Sequence, residues 1–511
     1  MPSHDDGPAP VQCVDVLTVA TQSGRLWHAY VTLLTSSGQI LVVTVGLPGR
    51  GKTHLAHAIQ RYLRWLGVQC QVYNLANTRR EIIGRVDQLP HDYFGLAQND
   101  DTAQLRQRVT EQLETQIADF FRQGGQVAVY DAYNSNQERR AAIQKRFETM
   151  QVQLMFIECQ SDDDAMIRRN IRSMHTFNPD FEGWDVARVF EHLRERIAQH
   201  EILYEPITDP SCPHVQLLNL GQRIVVNQVH GYLQNRIVLF LMHMHSHERI
   251  IYFARAGEAL VEHLYKADAD LSSLGVAYAN RLCDFVMGLR RQANQSATSD
   301  LSLSQEHNVS YIAASDKTKP IQTIDVADHE LQVWCSTRKR SERTAAPFRA
   351  HGVRIIELSR LCELNPGVVD GMSEEEILAR FPHHPEERAK DPYGFRFPRA
   401  ESYHDLAIRL EPVIMELERV KKDVLIIAQS SVLRCLIAYL QGNKPQEIPF
   451  IQVREGDLVE IYPQAFGIST RVYSFWDPEK EREKRDIQFA RQAVRELARQ
   501  QAAAPVDSES D

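Results

Sequence analysis

The sequence predicts an α/β protein with two domains, and three observations support this prediction. The chain has 511 residues, which is more than a single hydrophobic core usually organises. From residue 39 onward, short apolar runs alternate with amphipathic helical stretches. A second series of the same kind starts near residue 250. This alternation predicts a parallel sheet covered by helices in the first domain, and a further α/β arrangement in the second.

The first domain opens with a predicted strand, Ile40–Val45, whose continuous apolar run is typical of a strand buried on both faces. The next predicted element is a helix, Lys52–Leu66, with its large apolar side chains on one face and Gly67 as its stop. Three further strands and one long helix are predicted, namely Gln71–Leu75, Val127–Tyr130, Leu154–Glu158 and Asp101–Arg122.

The second domain contains four predicted strands, namely Ile250–Ala254, Leu331–Cys335, Arg354–Leu358 and Val424–Ala428. Ser402 with Asp405 marks a helix start, and the helix is expected to run towards Arg419 with a kink at Pro412. Residues 291–305 are rich in Ser, Gln, Asn and Ala, which predicts a flexible insertion.

These elements divide the chain into four parts. Residues 1–35 are predicted to form an irregular arm, 36–245 the first domain and 246–475 the second. Residues 476–511 form a charged tail, in which a solvated helix is expected to fray into a disordered end.

The composition excludes several classes of protein. With 43% hydrophobic and 24% charged residues, the chain is typical of globular domains rather than fibres. A net charge of −9 argues against non-specific binding of nucleic acid. The eight cysteines show neither a CxxC pair nor zinc spacing and indicate reduced thiols. The sequence shows no signal peptide and no apolar run of membrane-spanning length, so we expect a cytoplasmic protein without membrane partners.

The most specific motif is a phosphate-binding loop, GLPGRGKT, between the first strand and the first helix. Its glycines let backbone N–H groups point at phosphate oxygens, and the helix adds its positive end. Lys52 supplies a charge to the β and γ phosphates, and the Thr53 hydroxyl ligates magnesium. The residues predicted to contact a nucleoside triphosphate are Gly46, Leu47, Pro48, Gly49, Arg50, Gly51, Lys52 and Thr53.

A partner carboxylate is expected at the end of a neighbouring strand, and Asp131 directly follows Val127–Tyr130. An aspartate there can hold magnesium or accept the proton of an attacking hydroxyl. An aspartate at a strand end is also often a helix cap, so position alone leaves both interpretations open.

Arginines are the candidates for binding a phosphate ester, because their planar fork makes paired hydrogen bonds. Each one taken singly is more often a solvated surface residue. The candidates are Arg79, Arg80, Arg106, Arg139, Arg140 and Arg196.

At the level of whole motifs, the chain resembles the bifunctional 6-phosphofructo-2-kinase/fructose-2,6-bisphosphatase family. In the first half the resemblance rests on GLPGRGKT, RYLRWLGVQCQVYNLANTRRE, GGQVAVYDAYNSNQERR and NIRSM. In the second half it rests on RIIYFARAGE, VWCSTRKRSERTAA, LCELNPG and VLIIAQSSVLRC. The motifs occur in family order across residues 38–475, with an insertion near 290–330.

The resemblance implies that the first half transfers the γ-phosphoryl group of ATP to the 2-hydroxyl of fructose 6-phosphate. It assigns Asp131 and Lys52 to catalysis, Thr53 and Asp131 to magnesium, and Asn170 to the nucleotide side. It also implies that four of the candidate arginines, Arg79, Arg106, Arg139 and Arg196, hold the sugar phosphate. Members of the family are typically dimers, which predicts a homodimer.

Four positions depart from the family pattern, namely Tyr133, Ser161, His175 and His200. His175 stands where the family has a lysine that bridges the nucleotide and the sugar phosphate, and a neutral imidazole cannot supply that charge. Tyr133 is expected to fill space beside the sugar. The sequence leaves open whether these changes abolish or retune kinase activity.

The second half resembles the histidine phosphatases, whose Arg-His-Gly signature carries the nucleophilic histidine. The matching residues here are Arg255, Ala256 and Gly257, and Gln429 replaces the second catalytic histidine. Covalent catalysis needs a nucleophile with electrostatic support, so we expect no bisphosphatase activity. Arg255, Arg340 and Glu363 match family positions, and the two arginines either bind a phosphate or are inherited without present use.

The leading hypothesis is therefore a 6-phosphofructo-2-kinase with an inactive bisphosphatase domain. One alternative is a weak or inactive regulatory protein that binds sugar phosphate or nucleotide. The other alternative is a phosphate-loop kinase that acts on a different sugar.

Overall fold

The computed structural model describes residues 38–95, 99–219, 221–244, 249–260, 268–298, 309–310, 330–464 and 467–487. The predicted arm at 1–35 lies outside these residues, as does most of the tail. Residues 478–487 of the tail are helical, as predicted for its start. None of the described helices combines the length and the apolar character that crossing a bilayer requires.

The first domain is built on a six-stranded sheet with the order β2-β3-β1-β4-β5-β6. Its strands are β1 (Ile40–Val45), β2 (Cys70–Asn74), β3 (Val127–Asp131), β4 (Gln153–Gln160), β5 (His214–Leu218) and β6 (Arg223–Asn227). Strands β1 to β5 are parallel, which confirms the predicted sheet, and all six residues of β1 are buried. Strand β6 runs antiparallel to β5 at the edge of the sheet, and the sequence prediction had placed neither β5 nor β6.

Helices cover both faces of this sheet, because the side chains of a strand alternate between its faces. They are α1 (Lys52–Trp65), α2 (Leu75–Ile82), α3 (Asp100–Arg122), α4 (Gln137–Glu148), α5 (Asp164–Phe177), α6 (Val186–Glu201) and α7 (Tyr232–His243). Val42 packs with α1 and α7 on one face, whereas Leu41 and Val43 pack with α3 and α4 on the other.

The second domain is built on a seven-stranded sheet with the order β10-β9-β11-β7-β12-β13-β8. Its strands are β7 (Ile251–Arg255), β8 (Val309–Ser310), β9 (Leu331–Cys335), β10 (Arg354–Glu357), β11 (Asp423–Ala428), β12 (Asp457–Gln464) and β13 (Gly467–Ser474). Strands β7, β9, β10 and β11 are parallel, as expected. The three other strands add antiparallel pairs that the sequence prediction missed.

The helices of the second domain include one correction to the sequence prediction. They are α8 (Ser273–Thr298), α9 (Lys339–Ala345), α10 (Glu374–Arg380), α11 (His384–Lys390), α12 (Tyr403–Arg419) and α13 (Ser430–Gln441). Residues 291–298 belong to α8, so the predicted flexible insertion at 291–305 is wrong there, and 299–305 lie outside the described residues. Helix propensity accounts for the difference, because Gln and Ala tolerate a helix well when an apolar stretch precedes them. The predicted start of α12 is confirmed by a capping box between Ser402 and Asp405.

One cluster of buried apolar side chains extends across both domains. Buried residues of α1 and α7 form a continuous cluster with those of α12 and α13. At this junction the Tyr62 hydroxyl donates to Glu411 at 2.7 Å, and the rings of Trp65 and Tyr439 meet edge to face at 5.7 Å. Helix α1 therefore connects the phosphate-binding loop at its start with the second domain at its end.

Candidate active site

The phosphate-binding loop lies between β1 and α1, and its conformation requires glycine. Gly46 has a φ of +133°, and a Cβ atom there would lie 2.5 Å from the carbonyl oxygen of Cys159. Gly51 adopts the left-handed conformation immediately before the first residue of α1. Asn170 of α5 donates from Nδ2 to the carbonyl oxygen of Gly49 at 2.9 Å, so it supports the loop from outside.

Lys52 is buried at the start of α1, where its Nζ donates to the carbonyl oxygen of Leu47 at 2.5 Å. The same Nζ lies 4.8 Å from the ring centre of Tyr133. Burial lowers the pKa of Lys52 to about 8, although the nearby Cys159 and Asp131 oppose that shift. The free-energy cost of burying the Lys52 ammonium is offset when an anion binds beside it.

Asp131 is the last residue of β3, so it lies at the edge where the parallel strands of the sheet end. It is 2% exposed. The Asn74 side chain, at the end of neighbouring β2, donates from Nδ2 to Oδ2 of Asp131 at 2.5 Å. Among the described residues, Oδ1 has only a long contact, 3.5 Å, with the Thr44 hydroxyl. Oδ2 thus accepts a hydrogen bond from an amide, while Oδ1 has the capacity to accept one from a ligand.

Four residues of the loop, Asp131 and the four arginines that the resemblance selects line a single cleft of about 550 Å³, whereas Gly46, Leu47, Pro48 and Arg50 are not among its lining residues. The lining includes Gly49, Gly51, Lys52, Thr53, Asp131, Arg79, Arg106, Arg139 and Arg196. Gly49 and Arg196, which both line the cleft, are 147 positions apart in the chain. The volume lies within the range typical of small-molecule sites.

Thr53 and Asp131 offer a hydroxyl and a carboxylate oxygen to the same cleft. No group of three or more His, Cys, Asp or Glu side chains among the described residues could hold a metal ion by itself. Mg²⁺ is usually bound by one or two protein oxygens together with water and substrate phosphates. The residues present therefore fit a magnesium ion that arrives with a triphosphate.

Two of the four arginines that the resemblance selects already have carboxylate partners. Arg79 forms a buried ion pair with Asp180, which also pairs with Arg80 at 2.8 Å. Arg139 pairs with Glu114 and donates to the Tyr130 hydroxyl at 2.6 Å. Their charge is largely compensated inside the protein.

The other two arginines have no carboxylate partner within 4 Å among the described residues. Arg196 donates from Nη2 to the Tyr133 hydroxyl at 2.6 Å and stacks 3.6 Å from the ring centre of Phe94. Arg106 donates to the carbonyl oxygens of Asp92 and Gly95. Burial lowers the pKa of both guanidinium groups, and the Nε atoms of both are buried without a partner. Uncompensated positive charge in a cleft favours an anionic ligand.

The four positions that depart from the family pattern have different surroundings. The rings of Tyr133 and His200 are 4.4 Å apart, and both residues line the cleft. Ser161 accepts from the backbone N–H of Asp163, beside the start of α5. His175 contacts the carbonyl oxygen of Trp184 at 2.9 Å and is not among the described residues that line the cleft. Of the four departures, Tyr133 and His200 are therefore the two that line the cleft.

The sequence prediction had missed several residues of the cleft. Asn74, Tyr93, Phe94 and Asp180 line it beside the predicted ones. Asn74 was detectable in principle, because a polar residue at the end of a strand next to β3 must lie near Asp131. The other three lie outside the strands, and no local pattern marks them.

The phosphatase-like site is assembled at the matching edge of the second sheet. Arg255 ends β7, and β11 pairs with β7 so that Ala428 is opposite Arg255. The backbone N–H of Ala256 donates to the carbonyl oxygen of Ala428 at 3.1 Å, which brings Gln429 close to Ala256. Arg340 donates from Nε to the carbonyl oxygen of Gly257 at 3.1 Å. Arg255, Ala256, Arg340 and Gln429 thus lie together, but this set contains no imidazole.

Charges of both signs surround these arginines. Burial lowers the pKa of Arg340, and Glu363 opposes this effect more strongly than any other group. Glu258 pairs with Arg482 of the tail helix at 2.6 Å. Nε of Arg255 is buried without a hydrogen-bond partner.

Comparison with known proteins agrees with this architecture. Residues 29–248 match the 6-phosphofructo-2-kinase family, and residues 321–473 match branch 1 of the histidine phosphatase superfamily. A mycobacterial glucosyl-3-phosphoglycerate phosphatase solved with inorganic phosphate is 18% identical over 45% of this chain and 100% of its own, with a TM-score of 0.33. That score is too low to support an argument about function.

Full-length relatives cover both halves together. A Saccharomyces cerevisiae protein, provisionally named 6-phosphofructo-2-kinase/fructose-2,6-bisphosphatase, is 35% identical over 86% of this chain and 82% of its own. A fructose-2,6-bisphosphatase of the same organism is 32% identical, covering 84% of this chain and 87% of its own. The 6-phosphofructo-2-kinase/fructose-2,6-bisphosphatase of Caenorhabditis elegans is 31% identical, covering 85% and 88%. The chain therefore belongs to the 6-phosphofructo-2-kinase/fructose-2,6-bisphosphatase family.

Proposed function

We propose that this protein is an active 6-phosphofructo-2-kinase, which makes fructose 2,6-bisphosphate from ATP and fructose 6-phosphate. The observation that supports this most is the single cleft that joins residues of a phosphate-binding loop, a strand-end aspartate and two arginines that have no carboxylate partner in the described part of the chain. A triphosphate and a phosphate ester are the ligands that such a cleft is built to hold side by side.

In this proposal the loop N–H groups and Lys52 bind the β and γ phosphates, and Asn170 keeps the loop in place. Arg106 and Arg196 bind the 6-phosphate of the sugar, because their charge is uncompensated. Arg79 and Arg139, already paired, shape the wall of the cleft and add positive potential.

The transfer step then follows from the position of Asp131. Its Oδ1 accepts the proton of the 2-hydroxyl while that oxygen bonds to the γ-phosphorus. The bond between the γ-phosphorus and the bridging oxygen breaks, and ADP leaves. Thr53 and Asp131 would hold a magnesium ion, which would supply positive charge beside the phosphate oxygens.

We propose further that the second domain has no bisphosphatase activity. The methyl group of Ala256 cannot attack phosphorus, and Gln429 cannot replace a catalytic imidazole. Arg255 and Arg340 retain the charge to bind a phosphate there without hydrolysing it.

The decisive experiment incubates the purified full-length protein with ATP, Mg²⁺ and fructose 6-phosphate and identifies the product chemically. We expect fructose 2,6-bisphosphate, and we expect Asp131→Asn to reduce kcat at least 100-fold at an unchanged melting temperature. Failure of the folded, ATP-binding protein to form this product would refute the proposal. A parallel incubation with fructose 2,6-bisphosphate should release no phosphate above a blank.

A second candidate is a sensor that binds sugar phosphate without turnover, and the Tyr133 ring beside Lys52 favours it. It predicts a thermal shift with fructose 6-phosphate in the absence of any product. A kinase of another sugar would instead consume ATP with a different sugar phosphate.

The homodimer, which the family resemblance implies, and the cytoplasmic location, which the sequence composition predicts, stay predictions. Light scattering of the purified protein tests the first, and cell fractionation tests the second.

A further inference from the structure

Tyr133 joins the nucleotide side of the cleft to the acceptor side. Its backbone carbonyl oxygen accepts a hydrogen bond from the N–H of Gly46, the first residue of the phosphate-binding loop, at 3.0 Å. Its ring lies 4.8 Å from Nζ of Lys52. Its hydroxyl accepts a hydrogen bond from Arg196 at 2.6 Å. A single side chain therefore contacts both the loop lysine and a guanidinium proposed to hold the acceptor phosphate.

The bond to Arg196 is the more consequential of these contacts. Within the described part of the chain, the Tyr133 hydroxyl is the only hydrogen-bond partner of the Arg196 side chain. Stacking on Phe94 restrains the plane of the guanidinium, but it does not fix rotation within that plane. The Tyr133 oxygen supplies that restraint. Arg196 keeps its other N–H groups, including an unpartnered Nε, for an incoming phosphate.

The Tyr133 hydroxyl can also donate a hydrogen bond to a ligand. Because Arg196 donates to the phenolic oxygen, the phenol can donate its own hydrogen, and no described residue accepts it. His200 packs 4.4 Å from the Tyr133 ring, and its Nε2 is buried without a hydrogen-bond partner. Burial first, and then the charge of Arg196, lower the pKa of His200 to about 3, so this imidazole is neutral. The phenol and the imidazole together give the cleft an uncharged polar wall next to its cations.

We propose that Tyr133 is a positioning and specificity-determining residue, which orients Arg196 and donates its hydroxyl to the phosphorylated sugar that accepts the phosphoryl group. The proposal rests on the proposed kinase function, and it deepens that function by naming the residue that recognises the acceptor. The nucleotide is not expected to depend on it, because the ring approaches Lys52 without a hydrogen bond.

The test is Tyr133→Phe, which removes only the oxygen and keeps the ring between Lys52 and His200. Arg196 then loses its oriented partner, and the acceptor loses one donor. We expect the KM for fructose 6-phosphate to rise at least tenfold, with the KM for ATP within twofold of wild type. Tyr73→Phe is the matched control, because Tyr73 lies at the end of β2 and packs against Phe120 outside the described lining of the cleft.

Calorimetric binding of fructose 6-phosphate, in the presence of a non-hydrolysable ATP analogue, separates the two proposals. At least tenfold weaker binding by Tyr133→Phe, with an unchanged melting temperature, supports the role of Tyr133. Equal binding by the variant and wild type overturns that role and leaves the kinase proposal intact. Wild-type protein that binds the analogue but neither binds nor phosphorylates fructose 6-phosphate overturns both.

Discussion

Single residues in the cleft differ in how their charge is balanced. Lys52 is buried and Arg196 is half-buried, and neither has a carboxylate at ion-pair distance in the described structure, whereas Arg79 is paired with Asp180. A charge shielded from water without a partner is costly, so we expect these cations to contribute to ligand binding rather than to stability. Paired arginines contribute to stability instead. This difference separates residues that look equivalent in the sequence.

The lowered pKa of Lys52 predicts an alkaline limit on activity. With a pKa of about 8, the free enzyme loses the Lys52 charge as pH rises through that value. We expect kcat/KM for ATP to fall above pH 8, about tenfold from its plateau by pH 9, since this parameter reports ionisation of the free enzyme. Lys52→Arg, whose guanidinium stays charged, should show a lower plateau but no such fall. A wild-type profile that is flat to pH 9.5 would contradict this.

Arg196 and Arg79 should respond differently to substitution by methionine. Arg196→Met removes an uncompensated charge, so the melting temperature should stay equal or rise while the KM for fructose 6-phosphate rises at least 100-fold. Arg79→Met breaks a buried ion pair, and we expect a loss of about 2–3 kcal/mol in the free energy of unfolding, limited because Arg80 still pairs with Asp180. Denaturant titration and steady-state kinetics measure both effects. Equal destabilisation by the two variants would show that Arg196 and Arg79 do not differ in their contribution to stability.

At the scale of elements, α1 has two functions along its length. Its first residues hold the phosphate-binding loop, and its last turns pack against α12 and α13 of the second domain. Arg61 of α1 pairs with Glu418 of α12 at 3.2 Å, and Glu418 also pairs with Arg249 at 3.5 Å. Burial opposes the charge of Glu418, but the two arginines hold its pKa below the ordinary value. The junction therefore depends on one buried carboxylate.

Glu418→Gln should weaken the whole protein. It leaves Arg61 and Arg249 without this buried counterion, and we expect a loss of about 3–5 kcal/mol in the free energy of unfolding. Glu416→Gln, two residues earlier on α12, removes an exposed pair with Arg419 and should cost less than about 1 kcal/mol. Urea unfolding followed by circular dichroism compares the two. Similar midpoints would mean that the buried pair contributes little.

Across the whole molecule, half-buried histidines are expected to make the fold sensitive to acid. Burial lowers the pKa of His54, His192 and His404 to about 4, and that of His200 to about 3. The unfolded chain titrates near 6.5, so between pH 6.5 and about 4 the unfolded state binds more protons than the folded state. The stability that these neutral histidines contribute is therefore fully present above pH 6.5, and it is lost as the pH falls towards 4.

His192→Phe tests this, because His192 packs among the rings of Phe94, Phe181 and Trp184, where a phenyl group fits. We expect the free energy of unfolding to fall less steeply between pH 6.5 and 4.5 in the variant, by at most about 1.4 kcal/mol per pH unit. Urea titrations at several pH values measure both slopes. Parallel slopes would show that His192 does not remain neutral in the folded protein.

The sequence predicted the features that depend on neighbouring residues. The loop at Gly46–Thr53 and the strands β1 and β3 follow from local apolar runs and glycine spacing, and the structure has them where expected. The position of Asp131 followed as well, since parallel strands end at a common edge. The edge strand β6 and the pair β12 and β13 did not, because their antiparallel pairing is decided by contacts with other strands.

By itself, then, the sequence determined the α/β class, the phosphate-binding loop and which arginines were candidates. Only the tertiary structure decided which arginines have counterions, because those partners come from far along the chain. Asp180 is 101 residues from Arg79, and Glu418 is 357 residues from Arg61. Tyr133 meets Arg196 across 63 residues. Backbone patterns report local geometry, whereas the balance of buried charge is a property of the assembled fold.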